Sequence, residues 1–146
     1  MKSGVTKTLI IGYGNTLRHD DAVGPAIIQW LTPPPSGVEL MEAHQLLPEF
    51  AEPVSRAKRV IFIDASISIP PGTIQFRRIK PAESRLGHHM SPEAVLMLAK
   101  TLYGHAPDAT VIAIGACFLD VGEGLTPQVE SAARRLTKHL SYWLTR

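Results

Sequence analysis

The chain has 146 residues, 45% of them hydrophobic and 19% charged, which matches one domain with its own core and leaves no room for two. Fifteen basic against thirteen acidic residues leave a formal charge of +2, and the lysines and arginines are scattered, so no basic footprint for nucleic acid forms. The single Cys117 excludes an internal disulfide, and no apolar run approaches the ~20 residues of a membrane span; a cytoplasmic protein with neither nucleic-acid nor membrane partners is expected.

In chain order, residues 8–13 (TLIIGY) form a β-branched apolar run stopped by Gly12 and Gly14, which predicts a first strand buried on both faces. Behind Asp20-Asp21, the residues Ala22, Val23, Ala26, Ile27, Trp30 and Leu31 recur at helical spacing until Pro33-Pro34-Pro35 forbids continuation. Residues 38–43 predict a second strand, and Pro48 opens a short helix that ends near Arg56. The clearest buried strand is 59–63 (RVIFI), ending at Asp64. Past the turn at Pro70-Pro71-Gly72, residues 73–79 alternate Ile74 and Phe76 with Gln75 and Arg77, the pattern of a half-exposed antiparallel edge strand.

Ser91-Pro92-Glu93 combines an N-cap serine, proline at the first helical position and an acidic first turn, and predicts a helix to Tyr103. Residues 109–116 (ATVIAIGA) are a further buried strand. Thr126-Pro127 repeats the cap-plus-proline start for a last helix with Val129, Ala132, Ala133, Leu136 and Leu140 on one face. Strands alternating with helices imply right-handed crossovers, hence an α/β fold: a three-layer α/β/α sandwich around a mostly parallel five-stranded sheet. The expected order is 2-1-3-5 with the antiparallel fourth strand on an edge, in a single domain over residues 1–146.

Ligands of such sheets bind outside the carboxyl ends of the strands, where the order reverses. Asp20-Asp21 follow the first strand, His44 the second, Asp64 closes the third, and His88-His89 precede a helix, so several polar groups can converge on that edge. Two carboxylates and an imidazole suit zinc, nickel or another borderline cation better than magnesium or calcium. Each residue also has a structural reading. Asp20 or Asp21 can cap a helix start, Asp64 can bond loop amides, His44, His88 and His89 can be solvated loop residues, and Cys117 reads as an inert strand-end residue. A dinucleotide loop at Gly12 and Gly14 is disfavoured, because Leu17 replaces the third glycine and two aspartates would face a phosphate.

Residues 12–24, GYGNTLRHDDAVG, closely resemble the G-x-G-N-x-L-x-x-D-(D/E)-x-x-G signature of the [NiFe]-hydrogenase maturation endopeptidases. Phe62-Ile63-Asp64-Ala65 resembles that family's strand-terminal aspartate, His88-His89-Met90-Ser91-Pro92 its histidine loop, and Gly122-Glu123-Gly124-Leu125-Thr126-Pro127 the start of its last helix. His44-Gln45-Leu46 with Pro48-Glu49 resembles the branch serving bidirectional or cofactor-coupled hydrogenases.

The resemblance implies an endopeptidase that removes the C-terminal extension of a [NiFe]-hydrogenase large-subunit precursor after nickel insertion, grouped with aspartic-type peptidases and dependent on metal for recognition. It implies Asp21, Asp64 and His88 as catalytic and metal-binding residues, with Asp20, His44 and His89 as possible additions. Nickel would be supplied by the precursor, with zinc or cadmium as substitutes in vitro, and the enzyme would be a monomer. A non-catalytic nickel- or precursor-binding module is the alternative.

Overall fold

A computed structural model describes residues 6–83 and 90–145. The strands are β1 (Thr6–Tyr13), β2 (Val38–Ala43), β3 (Ala57–Ser66), β4 (Ile74–Ile79) and β5 (Asp108–Gly115). The helices are α1 (Val23–Leu31), α2 (Ala51–Ser55), α3 (Pro92–Tyr103) and α4 (Pro127–Leu144), with 3₁₀ turns at His19–Ala22 and Pro48–Phe50 leading into α1 and α2. The sheet order is β2-β1-β3-β5-β4, parallel except for the β4–β5 pair. The expected α/β sandwich and its strand order are therefore observed.

Alternation along the buried strands produces the three layers, since successive side chains point to opposite faces. Leu9, Ile11, Val60, Phe62 and Val111 pack with Val54 of α2 and Val95 and Leu96 of α3. Ile10, Ile61, Ile63, Ile112 and Ile114 pack on the other face with Val23, Ile27 and Ile28 of α1 and Val129, Ala133 and Leu136 of α4. Strands covered on both faces must be apolar at every position, which is why β1 and β3 read as runs rather than as alternations. Among the described residues no helix is long and apolar enough to cross a membrane.

Three local features depart from the expected ones. The helix after Asp20-Asp21 is preceded by the 3₁₀ turn, so its N-cap is Ala22 and neither aspartate caps it. Strand β3 does not end at Asp64 but runs on to Ser66, because Asp64, Ala65 and Ser66 continue the ladder with Ala113, Ile114 and Gly115 of β5. Ser91 does cap α3, its hydroxyl accepting from the Ala94 N–H at 3.1 Å, whereas Thr126 makes no side-chain cap to α4.

Candidate active site

The two neighbours of β3 release it at different points. Its ladder with β1 ends at the pair Gly12 and Ile63, while its ladder with β5 continues through Asp64. Asp64 thus stands where β1 turns away, and α1 leaves toward one face of the sheet while α2 and α3 cover the other. This is the reversal point at which open α/β sheets bind ligands. A cavity of about 420 Å³ lies there, lined by Tyr13, Asn15, Arg18, Asp21, His44, Asp64 and Met90 among others.

Asp21 reaches the cavity from the 3₁₀ turn, and its Oδ2 accepts the Asn15 N–H at 2.7 Å. That short bond closes the loop over the turn, and the packing tolerates no side chain at residue 14. Gly14 has φ +152°, and a Cβ there would collide with the Asp21 carbonyl oxygen. Gly12 has a related role two residues earlier, within β1, because a Cβ at this position would run into the Gly24 carbonyl where α1 crosses β1. The glycines of the first motif therefore serve close backbone approach, not a phosphate.

Asp64 is held by the Tyr13 phenol, which donates to its Oδ2 at 3.1 Å. Burial pushes the Asp64 carboxyl up from its ordinary 3.8 to about 6, and the nearby Asp21 carboxylate pushes the same way. The Tyr13 hydrogen bond and the Ala65 N–H pull it down without cancelling the rise. Burial and the adjacent Asp64 charge raise the Tyr13 phenol in turn, so it remains a donor throughout the neutral range. The result is a fixed carboxyl able to exchange a proton close to neutrality, beside a second carboxylate that repels its charge.

Of the residues singled out from the sequence, Asp21, Asp64 and His44 line this one cavity, His44 as an exposed wall residue. His88 and His89 lie outside the described residues. Asp20 is elsewhere: it is fully buried, and its carboxylate accepts the N–H groups of Cys117 (2.8 Å), Phe118 (3.0 Å) and Thr126 (2.7 Å) and the Thr126 hydroxyl (2.8 Å). With its oxygens committed to that loop it has no place as a base or ligand in the cavity. Cys117 is also corrected, since β5 ends at Gly115 and leaves this cysteine exposed. Among the described residues no three of His, Cys, Asp and Glu converge as a metal site, and the acidic pair supplies two donors.

Tyr13 and Asn15 were not anticipated as site residues. Tyr13 follows Leu9 and Ile11 at the spacing of one strand face, so a phenol ends an otherwise apolar row, which is the available signal for it. Asn15 meets Asp21 through its backbone N–H, while its side-chain oxygen accepts the Leu17 N–H at 2.9 Å and shapes the turn, so the asparagine of the first motif was the available signal.

No protein-family model matches the sequence, and no curated protein matches it. Solved structures do. The chain is similar to the [NiFe] hydrogenase maturation protease HycI from Thermococcus kodakarensis, with a TM-score of 0.80 and 21% identity over 99% of this chain and 96% of that one. It is also similar to the hydrogenase maturating endopeptidase HybD from E. coli, with a TM-score of 0.75 and 24% identity over 92% of this chain and 90% of that one. The [NiFe] hydrogenase maturation protease HybD from Thermococcus kodakarensis gives a TM-score of 0.72 and 22% identity over 95% of this chain and 99% of that one. The chain has the fold of these maturation proteases from end to end.

Proposed function

We propose that this chain is a processing endopeptidase of the [NiFe]-hydrogenase maturation type, which trims the C-terminal extension of a large-subunit precursor once nickel is in place. The observation that carries the reading is the pairing of Asp21 and Asp64, 43 positions apart, in one cavity at the reversal point of a sheet whose fold is that of known maturation proteases. Solved relatives alone speak to the fold. The acidic pair is what adds chemistry.

Asp21 and Asp64 suit a divalent ion, since a cation within reach of both relieves the repulsion that helps keep Asp64 protonated. Carboxylate donors joined by one imidazole from His88 make a borderline set that accommodates nickel, with zinc or cadmium as substitutes. In this reading nickel arrives as part of the substrate, already held by the precursor, and Asp21 and Asp64 would recognise it there. The ion, once held by these side chains, would supply Lewis-acid polarisation of a nearby carbonyl. The remaining work belongs to the chain: Asn15 fixes Asp21, Tyr13 fixes Asp64, and a carboxylate oxygen of the pair not engaged by the ion takes the proton that water loses and passes it to the departing amide nitrogen. Fixed carboxylates need little reorganisation as charge develops.

The test incubates nickel-loaded and nickel-free precursor with the protein and follows C-terminal loss by mass. Trimming of the loaded form alone, lost in Asp21→Asn and Asp64→Asn, is expected. Equal trimming by wild type and both variants would refute the proposal, and stoichiometric binding without product would favour the binding-module alternative.

A further inference from the structure

A second cavity, of about 320 Å³, opens at the other end of the strands, lined by Arg59, Phe76, Arg78, Asp108, His139 and Trp143 among others. Asp64 is five steps along an extended strand from Arg59, roughly 17 Å, so this cavity is distinct from the acidic one. It lies where α4, packed against α1 and β5, runs past the edge strand β4 without covering it. Phe76 of β4 and Trp143 of α4 consequently remain 57% and 40% exposed across the gap.

Arg59 makes this cavity more than an apolar hollow. Its guanidinium lies over the Trp143 ring, 4.6 Å from the centroid, and its Nε donates to the Thr8 hydroxyl at 3.0 Å. Asp108 stands opposite it in the β3–β5 register, but among the described residues no carboxylate lies within ion-pair distance of its guanidinium. The other stacked arginine is a useful contrast: Arg134 lies 3.7 Å from the Trp30 centroid but also meets Glu130 at 3.5 Å. An arginine fixed by a hydroxyl and an aromatic face, with guanidinium N–H groups left over, is a preorganised receptor for a planar oxyanion. Arg78 stands at the mouth with only a long, exposed contact to Asp108 at 3.9 Å, and the His139 imidazole can add a donor. A mostly apolar hollow with a few converging polar groups is the usual form of a small-molecule site.

We propose that this cavity binds a small organic anion, a carboxylate or phosphate monoester carrying a flat apolar body, with Arg59 anchoring the anion and Phe76 and Trp143 enclosing the body. The site is independent of the peptidase reading. Two arginines against the single Asp108 carboxylate leave a net positive lining that favours anions, and the aromatic walls favour flat apolar groups.

The test titrates ¹⁵N-labelled protein with 2-naphthoate, 2-naphthyl phosphate and neutral 2-naphthol, following the Arg59 Nε–H, the Trp143 indole N–H and the Thr110 amide by NMR. Both anions should shift these resonances, and naphthol should bind at least about tenfold more weakly, the loss expected when charge-assisted hydrogen bonds are absent. Tighter binding of the phosphate assigns a phosphorylated ligand, tighter binding of the naphthoate a carboxylic acid, and either supports the site. Arg59→Gln should reduce anion affinity by about tenfold, while Arg134→Gln should leave it unchanged. Arg78→Glu, at an exposed position, should weaken it several-fold and keeps the test open if Arg59→Gln does not fold. Equal binding of naphthol and naphthoate, no binding of either anion, shifts confined to the Tyr13–Asp64 cavity, or unaltered anion affinity in the folded variants would overturn the proposal.

Discussion

The charge on Asp64 opposes folding, and replacing it with asparagine is expected to stabilise the protein in a pH-dependent way. The Asp64 carboxyl titrates at about 6 in the folded chain, against about 3.9 when unfolded. Between these values the native state binds the extra proton, so stability falls as pH rises through this window and the full penalty is present above it. From about pH 4 to about pH 7.5 the loss amounts to about 2–3 kcal/mol. Asp64→Asn carries no charge at either pH, and its amide oxygen still accepts the Tyr13 phenol. Urea unfolding at both pH values should therefore give nearly equal stabilities for wild type and Asp64→Asn at the acid end, with the variant ahead by about 2–3 kcal/mol at the neutral end. Asp21→Asn should narrow that gap, because it removes one of the two causes of the raised value. A wild type and Asp64→Asn difference that stays constant from pH 4 to 7.5 would refute the electrostatic account of the cavity.

Tyr13→Phe removes a donor that favours the Asp64 carboxylate, so the Asp64 midpoint should climb above about 6 in a ¹³C-carboxyl NMR titration, and a fall would contradict the assigned hydrogen bond. Asp20→Ala leaves three backbone N–H groups and a hydroxyl without their acceptor and should cost about 3–5 kcal/mol in urea unfolding, which a loss below about 1 kcal/mol would disprove. Gly12→Ala forces a methyl against the Gly24 carbonyl and should destabilise by about 3 kcal/mol or more, read from the thermal midpoint; an unchanged midpoint would mean that α1 does not approach β1 as closely as described.

The layers of the fold were legible because they follow from local signals. Unbroken apolar runs such as residues 59–63 need cover on both faces, and Ser91-Pro92 marks a helix start by cap chemistry that acts within four residues. What was not legible depends on contacts between distant segments. Asp64 reads as the residue after a strand, since the run of apolar side chains stops there, yet β3 continues because β5 offers it a ladder partner 49 positions away. Tyr13 looks like the end of an apolar row until Asp64 appears 51 residues later to accept its phenol. Arg59 reads as a polar strand edge, and its stacking partner is 84 residues on, at the far end of α4.

The clearest case is Asp20-Asp21, where the chain places two identical side chains side by side and gives them opposite tasks. Helical spacing suggested that one of them caps the helix, and a cap would have left the other for chemistry. The 3₁₀ turn removes that logic, because it separates both residues from the start of α1 and turns them in different directions. Asp20 faces inward to a loop whose donors lie 97 to 106 positions away, and Asp21 faces the cavity. The two tasks are nonetheless coupled. The buried Asp20 ties residues 117–126 to the turn, and the turn itself is what presents Asp21, so the 3₁₀ geometry cannot relax without breaking four charge-assisted bonds. The Asp21 carboxylate, whose charge helps raise the Asp64 carboxyl, has to be held against its repulsion from that neighbour. The buried network of Asp20 supplies the restraint.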